Sequence, residues 1–250
     1  PTTLNPEQLD RLIRKIKCSF DLQHCVEFTV EAGRPDCITK ENLDILSDYG
    51  VNRICINPQT FCDETLVKLN RNHTTRDVID KFNLAKGRFN INMDFIAGLD
   101  GEDFTTFKNS INTALSLKPD NITVHTLCVK KGSNLAVERK FLDKGQVELM
   151  VDYARNSLIY NGYNPYYLYR QKYMAGNLEN VGYSLPGKEC VYNIDTMEEI
   201  SSTVACGANA ISKRVINSKN QVNRYASPKD VITYLNKIDK IFEGKTELFK

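Results

Sequence analysis

Four apolar segments each carry one polar residue out of place. They are Glu31 in FTVEA, Gln59 after ICINP, Asp94 in INMDFIAGL and His125 in ITVHTLC. In parallel α/β sheets, ligands gather at the carboxyl ends of the strands. Glu31 and Gln59 fall near such ends, and Asp94 is expected to point inward from mid-strand. A carboxylate in apolar surroundings is costly without partners. Two of them near one pocket imply a polar ligand, such as ribose hydroxyls or an ammonium. The alternative is a pair of carboxylates neutralised by Lys or Arg. Arg71, closing Asn70-Arg71, could grip a carboxylate with its planar fork or lie solvated on the surface. His125 is either a hydrogen-bonded core residue or a catalyst.

Seven of the twelve Tyr lie between Tyr160 and Tyr183, interleaved with Arg170 and Lys172. Such a cluster could stack a flat ring and hold acid groups, or pack as a connecting segment. Gly207-Ala208-Asn209-Ala210 lacks GxGxxG spacing and is weak as a phosphate loop. The eight Cys form no CxxC or CxxxC pair, so no metal-ligand cluster is expected within the chain. Cys55, Cys128 and Cys206 sit in apolar runs and read as small buried hydrophobes. His73, Cys62 and the scattered Ser make no nucleophile–base pattern, so catalytic residues stay unassigned.

These side chains need strands and helices to place them. With 250 residues, 41% apolar and 26% charged, the composition is that of a soluble globular chain. Lys+Arg at 33 against Asp+Glu at 31 leaves +2, which offers no footprint for nucleic acid or an anionic membrane. No run approaches the roughly 20 apolar residues of a membrane span. The first residues carry no signal peptide and no initiator Met, so the chain is expected to begin inside something longer. The thiols read as reduced and the location as cytoplasmic.

Asn5-Pro6-Glu7-Gln8 is a helix start, with Leu9, Leu12, Ile13 and Ile16 on one face. Strands are expected at 27–31, 53–56, 91–98 and 122–129. Helices are expected at 39–49, 63–69, 76–86, 102–117 and 146–161. Strand starts recur about every 30 residues, the length of a βα unit, which predicts an α/β fold with a parallel sheet. After Gly162 the cadence breaks. Strands are expected at 189–192 and 199–205, with a last helix capped by Ser227-Pro228. The expected division therefore falls after Gly162, into a parallel-sheet region over 1–162, open or closed as a barrel, and a C-terminal region over 163–250.

The ordered set EFTVEAGRP, NRICINPQTFCDETLVKLNR, INMDFIAGL, PDNITVHTL and GANAIS resembles the radical S-adenosylmethionine enzymes. More narrowly, it is similar to the oxygen-independent coproporphyrinogen III oxidases (dehydrogenases) and their paralogues. Pro1-Thr2-Thr3-Leu4 resembles the tail of that family's GGGTPTxL segment. YYLYRQKYMAGNLENVGY resembles a Firmicutes-type branch. The resemblance implies an open, partial TIM-like (β/α)6 barrel with a small C-terminal α+β region. It implies that Glu31, Gln59, Arg71, Asp94, Cys128 and Tyr166 contact S-adenosyl-L-methionine, with Arg71 on its carboxylate. Tyr169 and Arg170 are expected on the substrate side. A 4Fe-4S cluster is implied, with CxxxCxxC ligands ahead of residue 1, so residues 1–250 alone are expected to be inactive. The implied chemistry is radical decarboxylation of porphyrinogen propionates to vinyls in haem biosynthesis, fed by a donor such as flavodoxin or ferredoxin. Two other readings stay open: a haem-binding chaperone of the same family, and a radical enzyme with another substrate.

Overall fold

The computed structural model describes residues 1–128, 144–170 and 178–250. Val129, Lys172 and Tyr173 lie outside them. Contacts divide the chain into Pro1–Cys190 and Val191–Lys250.

The first unit is built on one six-stranded sheet in the order β1-β2-β3-β4-β6-β5. The strands are β1 (Thr29–Gly33), β2 (Arg53–Ile56), β3 (Asn90–Ala97), β4 (Asn121–Thr126), β5 (Asn164–Tyr169) and β6 (Asn180–Ser184). Strands β1 to β4 pair in parallel. Strands β6 and β5 add antiparallel. The α/β reading holds, and the sheet stays open between edge strands β1 and β5. Four parallel βα units are present among the described residues rather than six.

The helices start where local chemistry favours them. α1 (Pro6–Ser19) has a complete capping box, with the Asn5 and Gln8 side chains each bonding the other's backbone N–H. Thr39 caps α2 (Lys40–Asp48), Thr74 caps α4 (Thr75–Ala85) and Asp103 caps α5 (Phe104–Leu117). α3 (Asp63–Lys68) and α6 (Lys144–Tyr160) are the other α-helices among this unit's described residues. Leu9, Ile13, Leu43, Leu46, Val78, Phe82, Phe107, Ile111, Met150 and Leu158 are buried in one core with Ile54, Ile91, Met93, Phe95, Ile122 and Val124.

Strand pairing defines what the other face carries. The register sets Thr29 beside Arg53, Cys55 beside Asn92, Asp94 beside Thr123 and Ile96 beside His125. It continues through Thr123 beside Gly182 and Gly182 beside Tyr167. Paired residues share a face and alternate along the strand. One face of the sheet is therefore apolar and covered by helices. The opposite face carries Glu31, Arg53, Cys55, Asn92, Asp94, Asn121, Thr123, His125, Tyr167 and Tyr169.

In the second unit, β7 (Ile211–Ile216) and β8 (Gln221–Ala226) form an antiparallel hairpin. Three helices accompany it: α7 (Val191–Met197), α8 (Val231–Asn236) and α9 (Ile238–Phe249). The expected strand at 189–192 overlaps the start of α7. The expected strand at 199–205 is reduced to one bridge, Thr203 to Lys213. The cap of α8 is Asp230, whose side chain accepts from Thr233, and not Ser227. Cys206 is exposed, against the expectation of burial.

Candidate active site

Glu31 and Asp94 meet on the polar face near the carboxyl ends of β1 and β3. Neither forms an ion pair with Lys or Arg among the described residues, although the Pro1 ammonium acts on Glu31 from a distance. Glu31 is exposed at this end, yet desolvation raises its pKa above the ordinary carboxylate value, and Asp94 adds to the rise. A hydrogen bond from Cys55 opposes it. Cys55 is buried on β2, and its thiol is pushed well up by burial and by Glu31 and Asp94.

Asn92 lies between them, 7% exposed. Its Nδ2 donates to Asp94 Oδ1 at 2.7 Å and approaches Cys55 Sγ at 3.8 Å. Thr123 Oγ1 donates to Asn92 Oδ1 at 3.3 Å and lies 3.2 Å from the Tyr167 hydroxyl. On the other side, His125 Nε2 is 3.8 Å from Asp94 Oδ2 and its Nδ1 is 3.2 Å from the Tyr169 hydroxyl. The rings of Tyr167 and Tyr169 stack, 6.4 Å between centroids and 4° from parallel. Burial raises the pKa of both phenols, so both stay protonated at neutral pH. The Tyr167 ring lies across Gly182, where a Cβ would overlap it.

Gln59 takes a left-handed conformation, φ 70°. Its N–H donates to the Asp94 carbonyl and its carbonyl accepts from Ile96 N–H, both at 3.0 Å. That pins the segment after β2 to β3 at the level of Asp94. Arg71 is placed by the end of α3. Asn70, φ 52°, is the left-handed cap residue; Arg71 N–H bonds the Leu66 carbonyl and Asn70 N–H the Val67 carbonyl. This is a Schellman turn with Asn in the position Gly usually takes. Arg34 is already held in a fork by Asp36, with bonds of 3.2 and 2.8 Å. Arg71 has no such partner among the described residues. Burial, with Arg34 nearby, lowers its pKa. It is a half-buried cation beside the loop that follows β1.

The remaining expected residues scatter more widely. Cys128 follows β4, half-buried near Tyr169. Tyr166 sits at the irregularity between Pro165 and Tyr167 in β5, its ring edge-on to Tyr167 at 4.8 Å. Arg170 is exposed and ion-paired with Glu179 at 2.7 Å. Tyr169 reaches the polar face through His125. Sequence reasoning missed Cys55, Asn92, Thr123 and Tyr167. Period-two alternation along β3, extended from Asp94, would have found Asn92, whereas Cys55 and Thr123 follow only from the cross-strand register.

Among the described residues, Glu31 and Asp94 share the polar face without a Lys or Arg partner, and Arg71, at the end of α3, forms no ion pair although Asp36 acts on it through space. The set fits a ligand with its own carboxylate, an ammonium and hydroxyl donors, as adenosylmethionine has. Among the described residues, no group of three or more His, Cys, Asp or Glu side chains is placed to hold a metal. Among the described residues, no helix is long and apolar enough to cross a membrane.

Residues 2–114 match the Radical SAM superfamily. The chain is 41% identical over 251 residues to the oxygen-independent coproporphyrinogen-III oxidase-like protein HemZ of Bacillus subtilis, covering 98% of this chain and 50% of that protein. It is 39% identical over 155 residues to the heme chaperone HemW of the same organism, covering 60% of this chain and 39% of the relative. The structure of coproporphyrinogen III oxidase (HemN) from Escherichia coli superposes with a TM-score of 0.73 over 96% of this chain and 55% of that one, at 19% identity. That likeness shows the fold. The chain spans about half the length of the curated relatives it matches.

Proposed function

Because the chain carries a radical SAM domain, we propose that its polar face binds S-adenosyl-L-methionine and serves oxidative decarboxylation of porphyrinogen propionates to vinyls. The observation behind this reading is that, among the described residues, Glu31 and Asp94 on the polar face have no Lys or Arg partner and Arg71 at the end of α3 forms no ion pair. In it, Arg71 donates two parallel N–H groups to the methionine carboxylate. Glu31 and Asp94 accept from hydroxyl or ammonium donors. Gln59 borders the same site, its backbone held by β3. Cys128 and Tyr166 flank it, and Tyr169 and Arg170 lie toward the substrate. A bound 4Fe-4S cluster with adenosylmethionine supplies one-electron chemistry able to break an unactivated C–H bond. The part of these residues is placement and electrostatics around that chemistry. Flavodoxin or ferredoxin is the donor this reading calls for.

A second reading is haem binding. The His125–Tyr169 pair on the polar face favours it, since imidazole and phenol both suit iron. The discriminating experiment uses full-length protein with its cluster reconstituted anaerobically, supplied with coproporphyrinogen and adenosylmethionine. Chromatography of a vinyl porphyrin supports the decarboxylase. Tightly bound haem with no turnover supports the chaperone.

A further inference from the structure

Asn92 belongs to no contact set assigned above, yet it touches the supports of both carboxylates. Its orientation follows from its neighbours. A carboxylate oxygen 2.7 Å from the amide requires the N–H side there, so Oδ1 faces Thr123 and accepts its hydroxyl proton. With Thr123 donating onward, the Tyr167 hydroxyl donates to Thr123. Its raised pKa keeps that proton in place. The second Nδ2 proton points to Cys55 Sγ, and Cys55 in turn bonds Glu31. Donors therefore run in one direction, from Tyr167 through Thr123 to Asn92, and then fork to Asp94 and to Cys55–Glu31. Each bond polarises the next. Asp94 receives Asn92 on Oδ1 at 2.7 Å, while its Oδ2 has His125 Nε2 at 3.8 Å, too far for a hydrogen bond and compatible with a ligand donor.

We propose that Asn92 is a positioning residue that orients Asp94 directly and Glu31 through Cys55, so that both carboxylates present acceptor lone pairs to one ligand. The proposal rests on the reading that these carboxylates contact adenosylmethionine. A double-mutant cycle tests it. Wild type, Asn92→Leu, Asp94→Asn and the double variant of the full-length protein are titrated calorimetrically with adenosylmethionine, with a thermal melt of each. Asn92→Leu should weaken binding about tenfold in the wild-type background and about threefold or less when Asp94 is already Asn. Thr123→Val, nearly isosteric, should weaken binding about threefold and covers the case in which Asn92→Leu does not fold. Equal losses in both backgrounds, or unchanged affinity in Thr123→Val, overturn the proposal alone. A folded wild type that does not bind adenosylmethionine overturns the reading and the proposal together.

Discussion

The two ends of the polar face use similar residues to opposite effect. At the amino ends of the strands, Arg53 is buried and fully engaged. Its Nε meets Glu27 at 3.1 Å, its Nη1 bonds Asn121, and its Nη2 meets the carbonyls of Lys188 and Glu189 at 2.9 Å each. Glu27 also accepts from Thr29 and Cys190. The Arg53 and Glu27 side chains are only 4% and 10% exposed. Lys188 closes the same end through Asn90 at 2.6 Å and Asp120 at 3.5 Å. Toward the other end, among the described residues, Glu31 and Asp94 have no Lys or Arg partner and Arg71 forms no ion pair, with Asp36 acting on it only through space. Charge satisfied within the protein holds the fold together. In the proposed reading, a ligand completes the second set.

The contrast predicts opposite responses to mutation, largest at the closed end. Arg53→Met leaves Glu27 buried without its cation. Breaking one side of a buried pair costs about 3–5 kcal/mol, so the chain should lose most of its stability in denaturant titration. A loss under about 1 kcal/mol would mean that the closed end is not what ties 185–190 to the sheet.

At the open end, Glu31→Gln should act weakly and with the other sign. The folded pKa of Glu31 is raised, so its ionisation works against folding. That cost is absent at pH ~4, where the group is protonated, and grows as pH rises through the raised pKa. Melting of Glu31→Gln should therefore exceed wild type at neutral pH and match it at low pH. A lower melting temperature at neutral pH would place Glu31 among the structural charges.

The parallel part of this contrast was legible in the sequence, and the rest was not, for physical reasons. Strand β2 was read at its observed bounds, and the helices up to α6 to within a residue or two, because caps and 3.6-residue spacing agree there. Strand β1 begins two residues later than expected. Strands β5 and β6 were left unassigned. β5 is an edge strand that tolerates Pro165, and its irregularity at Tyr166 breaks the alternation. β6 carries Gly182, kept for the close approach of Tyr167 and not for any strand preference. The β7–β8 hairpin was missed because Lys213, Arg214 and Arg224 dilute its apolar signal, and Asn220 makes the turn without Gly. In the site, Glu31 and Asp94 stood out as charges in apolar runs. Cys55, Asn92 and Thr123 did not, because each is small and neutral; alternation along β3 puts Asn92 on the face of Asp94, and only cross-strand register adds Cys55 and Thr123. Arg71 was readable as a helix-end cation, but that it forms no ion pair among the described residues is a fact of three dimensions.

The account's central claim is that the open end of the polar face holds adenosylmethionine through residues that do not support the fold. Arg71→Lys tests it most directly, because Lys keeps the charge but cannot supply two parallel donors. Adenosylmethionine is titrated calorimetrically into the full-length wild type and variant, with thermal melts of both. The account predicts a loss of about 1.5–3 kcal/mol in binding and no change in melting temperature. Unchanged affinity, or a fall in affinity matched by a fall in melting temperature, would contradict it.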